Sequence, residues 1–260
     1  MKLPIYQVDA FANDLFSGNP AAVIICETEL AEETMQKVAS ENNVSETAFV
    51  MPREEGYQIR WFTPLVEVDL CGHATLASAH VLFDHRGVSS GKVTFNSRSG
   101  LLHVKQEEDL LFLDFPADCA KTAEPPEEMI FGLGRNPAGV FRGRDDYMVV
   151  FETEEEISSI TPDAAKLVQV CSRGVIVTAP GRDYDFVSRF FAPQTGVLED
   201  PVTGSVHTVM IPYWSGRLGK AELRARQISG RGGDLICRNQ GERVEIGGRA
   251  VTYLQGEISL

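Results

Sequence analysis

Arg60-Trp61-Phe62-Thr63-Pro64 returns later in the chain as Arg189-Phe190-Phe191-Ala192-Pro193, an offset of 129 residues (60 to 189). The same offset runs on without a gap. It sets Ala48-Phe49-Val50 on Val177-Thr178-Ala179, Ile59 on Ser188, Cys71 on Asp200, and Ala77–Leu82 on Val206–Ile211. Further on, Arg98-Ser99-Gly100-Leu101-Leu102 matches Arg231-Gly232-Gly233-Asp234-Leu235, the offset having drifted to 133 (98 to 231), as four inserted residues would produce. Register held over such a length marks a duplicated unit. Each half reads as strand, strand, Pro turn, helix, then paired strands opened by Gly.

The local signals agree with this. Tyr57–Phe62 and Asp185–Phe191 are apolar runs bounded by turn residues, as strands are. Thr28 predicts the N-cap of a helix over 29–42, and Thr161-Pro162-Asp163 predicts the start of another running to about Val170. The acidic, Pro125-Pro126-bearing stretch at about 123–128 reads as a linker. The fold class expected is therefore α+β, with an N-terminal lobe over 1–122, a C-terminal lobe over 129–260, and a small-molecule cleft between them.

Composition narrows the function. A net charge of −13 with scattered Lys and Arg argues against nucleic acid, because phosphate binding needs clustered basic residues. Five widely spaced cysteines with no CxxC suggest neither a disulfide framework nor a metal cage. With no apolar h-region at the N-terminus and no apolar run of about 18 residues, a cytoplasmic protein without membrane contact is expected. Gly230-Arg231-Gly232-Gly233 lacks nucleotide-binding spacing and reads as a hairpin turn. No P-loop, nucleophile elbow or metal triplet is present, so proton transfer by side chains and backbone dipoles is the chemistry that fits.

Polar positions that break the repeat are the candidates for that chemistry. Glu46 falls opposite Val175 and precedes an apolar strand; it is either a solvated carboxylate or a general acid–base. Asp200-Pro201 has the form of an N-cap followed by Pro at N1, and its repeat partner Cys71-Gly72 should open a helix too. Two helix N-termini facing one ligand would favour a carboxylate and an enolate-like transition state. Asp200 could equally be a cap alone. Cys71 is either a small buried hydrophobe or a thiolate base favoured by the helix end. His73, in a Gly-His-Ala-Thr turn, suggests a site, whereas His80, His85, His103 and His207 read as structural or surface residues.

These motifs together resemble the PhzF family, the phenazine biosynthesis-like proteins that share the diaminopimelate epimerase fold. The resemblance runs from Val8-Asp9-Ala10-Phe11 and Gly18-Asn19-Pro20-Ala21-Ala22-Val23 through Ser45-Glu46-Thr47-Ala48-Phe49 and Cys71-Gly72-His73-Ala74-Thr75 to Glu199-Asp200-Pro201-Val202-Thr203-Gly204-Ser205. It implies two pseudo-twofold-related lobes, each a curved sheet or barrel wrapped around a central helix. It implies an isomerase in which Glu46 moves a proton, with His73 and Asp200 as its catalytic companions. Ser45, Gly72, His73, Gly204 and Ser205 would bind a small carboxylate-bearing metabolite. Neither cofactor nor metal is implied, and a homodimer is expected.

Diaminopimelate-type epimerases carry a Cys at each helix start, whereas this chain has Cys71 and Asp200. An epimerase or racemase pairing Cys71 with a carboxylate is one alternative reading. A non-catalytic metabolite-binding or protein-interaction module is another.

Overall fold

The computed structural model describes all 260 residues. The chain divides into two compact units, Met1–Asp114 with Gly247–Leu260, and Phe115–Ile246. The N-terminal unit opens with an antiparallel pair, Lys2–Ala10 and Asn19–Ile25. Helix Glu32–Asn42 then carries the chain over to Glu46–Pro52, which lies parallel to Asn19–Ile25. Glu46–Pro52 forms a hairpin with Tyr57–Phe62, and Lys92–Ser97 and Gly100–Glu107 form a second hairpin parallel to it.

Helix Gly72–His80 fills the middle of this unit. Its sequence, GHATLASAH, is mostly small residues, and Gly72 through Ala79 are all buried. A helix with no polar face is a core helix. It packs against Lys2–Ala10, Asn19–Ile25, Glu46–Pro52, Gly100–Glu107 and the C-terminal strand Ala250–Ser259. Its buried hydroxyls bond back into the helix, Thr75 to the Cys71 carbonyl and Ser78 to that of Ala74. That arrangement meets the requirement that buried polar groups be paired.

The second unit repeats the plan. Tyr147–Val150 lies parallel to Val175–Pro180, with the short helices Glu154–Ser158 and Ala164–Leu167 in the crossover. Val175–Pro180 then forms a hairpin with Phe186–Phe191, followed by helix His207–Leu218 and the hairpin Glu222–Gln227/Gly233–Asn239. The helix is anchored by Trp214, whose ring stacks on Phe186 at 5.7 Å and whose Nε1–H donates to Thr178 Oγ1 at 3.0 Å.

The repeat detected in sequence is thus structural. Strands begin at Glu46 and Val175 and again at Tyr57 and Phe186, in each case 129 residues apart. The matched arginines also play one part twice. Arg60 grips Glu67 and lies over the Phe62 ring, and Arg189 grips Glu199 with both arms and lies over the Phe191 ring.

Four expectations need correction. The first helix starts at Glu32 behind Ala31 rather than after Thr28. The crossover helix is shorter than expected, Ala164–Leu167, and is capped by Asp163, whose carboxylate takes the Ala165 and Lys166 N–H groups before Thr161 can act. The second lobe begins at Phe115 rather than beyond a linker at 123–128, because Lys121–Thr122 is already a strand paired with Gly139–Arg142. It ends at Ile246 rather than at 260. Ala250–Ser259 belongs to the first unit, where it pairs antiparallel with the whole of Lys2–Ala10 across one bulge. No helix is long and apolar enough to cross a membrane.

Candidate active site

In the N-terminal lobe three chain segments meet at the start of the core helix. Glu46 is the first residue of its strand and stands opposite Ala21 in the parallel register. Asn19 opens the neighbouring strand, placed there by Gly18 at φ +66°, where an added Cβ would lie 2.2 Å from the Ala10 carbonyl oxygen. Only Gly tolerates that combination. Cys71 holds the extended cap position before the helix, and His73 sits in the first turn.

The side chains converge on the His73 ring. Glu46 Oε2 lies 3.0 Å from Nε2, while the other ring nitrogen, Nδ1, is 3.2 Å from Asn19 Nδ2 and 3.6 Å from Cys71 Sγ. The Glu46 contact is an ion pair rather than an aligned hydrogen bond, so the buried Oε2 keeps hydrogen-bonding capacity to spare. Glu46 is 19% exposed and His73 6%. The cluster is thus almost out of water, and Glu46 is more exposed than His73.

Electrostatics follow from this packing. Burial disfavours an imidazolium, yet the acidic groups of Cys71 and Glu46 outweigh that cost and raise the His73 pKa well above its ordinary value. Burial, reinforced by the Glu46 charge, pushes the Cys71 thiol up. Both causes act against the thiolate that the helix end would favour. No side chain caps this helix, so the N–H groups of its first turn have no intrahelical acceptor. They form a site suited to an anion.

In the C-terminal lobe Asp200 is not the helix cap that Asp200-Pro201 suggested. The helix begins at His207, after a turn at 204–206. The cause is Gln227, which donates to the Asp200 carbonyl at 2.8 Å and accepts from Thr203 N–H at 2.9 Å, clamping 200–203 in a non-helical form. The Asp200 carboxylate is bonded to the Thr203 hydroxyl. Ser205 Oγ accepts from Arg173 Nη1 at 3.0 Å. Arg173 is in turn gripped by the buried Asp146 and lies over the Phe190 ring at 5.4 Å. Burial opposes the charge on Arg173, but Asp146, Asp145 and Asp200 more than offset it and raise its pKa. Gly204 is buried beside Ser205. His207 is buried and its Nδ1 lies 2.8 Å from the Thr203 carbonyl; burial lowers its pKa to about 4, so it is neutral and structural.

The fold therefore gathers Glu46, Cys71, Gly72 and His73 in one lobe, with Ser45 half-buried beside them, and Asp200, Gly204 and Ser205 in the other. Sequence reasoning missed Asn19, Arg173 and Gln227. Asn19 was signalled by its position after a glycine that the chain needs. Arg173 and Gln227 stand in no motif, and only the fold brings them to Ser205 and Asp200. The fold also makes what no local spacing showed: ligand-type atoms of Glu46, Cys71 and His73 lie within 4.8 Å of one another.

Comparison with known proteins agrees with this architecture. An uncharacterized isomerase of Pseudomonas aeruginosa is 52% identical over 100% of both chains. The crystal structure of a PhzF family phenazine biosynthesis protein from Enterococcus faecalis superposes with a TM-score of 0.97 at 46% identity, covering 100% of each chain. A hydroxyproline epimerase from Agrobacterium vitis shares the fold alone, with a TM-score of 0.64 at 11% identity over 100% of this chain and 93% of its own. The phenazine biosynthesis-like protein family, PhzC-PhzF, matches residues 8–256, and this chain belongs to it.

Proposed function

We propose that the chain is a cofactor-independent isomerase that moves a proton on a small carboxylate-bearing substrate, with Glu46 as the general acid–base. The observation that carries this reading is the Glu46 carboxylate, whose buried Oε2 sits 3.0 Å from His73 Nε2 without an aligned hydrogen bond. A carboxylate so held has a fixed direction and a lone pair left for a proton on carbon. His73, kept protonated by its acidic neighbours, holds Glu46 in place through Nε2. The N–H groups of Gly72 and His73 receive the carboxylate at the positive end of the helix and stabilise the carbanion-like charge as it develops. Within the C-terminal lobe, Arg173 orients Ser205. Ser45 adds a hydroxyl next to the base.

The epimerase alternative needs a second base at Cys71. Its thiol is buried and its pKa is raised, which favours the single-carboxylate mechanism. The name carried by the Pseudomonas aeruginosa relative supports isomerase chemistry at the level of the family.

The test is proton NMR in D₂O on pooled small carboxylates and amino acids, with wild type and Glu46→Gln side by side. A C–H that exchanges with wild type only supports the reading. Binding of a pool member with no exchange by either protein favours a metabolite-binding module instead. A homodimer located in the cytoplasm belongs to the same proposal; the oligomeric state is checked by light scattering.

A further inference from the structure

Glu46, Cys71 and His73 differ in the atom each offers: a carboxylate oxygen, a sulfur and an imidazole nitrogen, all within 4.8 Å of one another. These are the three ligand types that zinc accepts, and three protein ligands leave the fourth tetrahedral position to a water or an exchangeable anion. Ligand atoms around tetrahedral zinc stand about 3.3–3.7 Å apart, by the geometry of Zn–S and Zn–N bonds. His73 Nε2 is 3.0 Å from Glu46 Oε2 and 4.0 Å from Cys71 Sγ. Side-chain shifts of well under an ångström on each member would open the pair and close the sulfur.

The surroundings suit a metal as well. Asn19 already fixes the far ring nitrogen at 3.2 Å, the kind of partner that orients a ligating imidazole. A half-turn of its amide presents the oxygen to an Nδ1–H. The sulfur and the ring are buried, whereas Glu46 is 19% exposed and marks the side from which an ion enters.

We propose that Cys71, His73 and Glu46 form a site for a thiolate-seeking divalent cation of the zinc class, and that its occupation and catalysis exclude each other. The ion takes the place of two protons. One leaves Cys71 Sγ as the thiolate forms. The other leaves the His73 imidazolium, which keeps its remaining proton on Nδ1, and both go to solvent. Glu46, now a ligand, has no lone pair to offer a carbon acid. The metal is an inhibitor set by availability rather than a cofactor. Exclusion of catalysis rests on the reading of Glu46 as the base, whereas binding of the ion does not.

Cobalt(II) titration of the reduced, chelator-treated full chain tests binding alone. Cys119 and Cys171 are exposed, so both are first changed to Ser. The expected result is a sulfur-to-cobalt charge-transfer band with tetrahedral visible bands, saturating at about one equivalent and bleached by zinc. The band is lost in Cys71→Ala and shifted or weakened in His73→Ala, with circular dichroism showing both variants folded. No saturating band in the protein with Cys71 intact overturns the proposal, as does an unchanged band in folded Cys71→Ala. Zinc is then added to the deuterium-exchange reaction. Loss of exchange that a chelator restores supports exclusion, and undiminished exchange by the zinc-loaded protein overturns it. If metal-free protein exchanges nothing, the isomerase reading fails while the cobalt spectrum still decides the site.

Discussion

His73 and His207 are both enclosed by protein, and their pKa values move in opposite directions because only one of them has acidic neighbours. His73 binds its proton more tightly in the folded chain than in the unfolded one. It therefore contributes stability below its unfolded value of about 6.5, and that contribution is lost as pH rises through the folded value. Chemical denaturation of His73→Asn should show its largest deficit against wild type near pH 6 and a shrinking one toward pH 9. Each unit of the shift is worth about 1.4 kcal/mol. His207 does the reverse. It is neutral in the folded chain, so wild type should lose stability as pH falls from about 6.5 to about 4, by up to roughly 3 kcal/mol, and His207→Gln should flatten that slope. At this scale Glu46 and His73 were legible in the sequence, because each interrupts the repeat or sits in a polar turn. Arg173 was not, since its partner Ser205 lies 32 residues away.

The strands were the most legible elements, their starts at 46, 57, 175 and 186 agreeing with the sequence offset. Helix starts were the least. Thr28, Thr161 and Asp200 all carry the right side chain for a cap, but the cap is chosen by what else binds the backbone there. At 200–203 the Gln227 amide binds it first. The turn before Asn19 is the element on which the site depends most. Gly18→Ala forces a Cβ onto the Ala10 carbonyl at a positive φ. Strain of about 1–3 kcal/mol should appear in the denaturation midpoint. Displacement of Asn19 should also lower any exchange activity at temperatures where the variant is still folded. A variant as active and as stable as wild type would refute that role for the turn.

For the whole molecule, duplication was readable but its closure was not. The last strand, Ala250–Ser259, runs antiparallel to the first across nine registered positions, which places it in the N-terminal unit. No repeat signal announces this, because pairing between chain ends leaves no local spacing. Deleting residues 249–260 should strip Lys2–Ala10 of that partner and uncover one side of the core helix, giving a chain recovered mainly in the insoluble fraction; a soluble variant with native near-ultraviolet circular dichroism would contradict it.

The central claim is that one carboxylate, Glu46, carries the proton. It is tested most directly by the rate at which solvent deuterium enters a substrate lead, measured for metal-free wild type, Glu46→Gln and Cys71→Ala. A rate about 10²–10⁴-fold lower in Glu46→Gln, with Cys71→Ala within about tenfold of wild type, is the predicted result. Exchange that survives in Glu46→Gln and disappears in folded Cys71→Ala would contradict the claim and make the thiol the base.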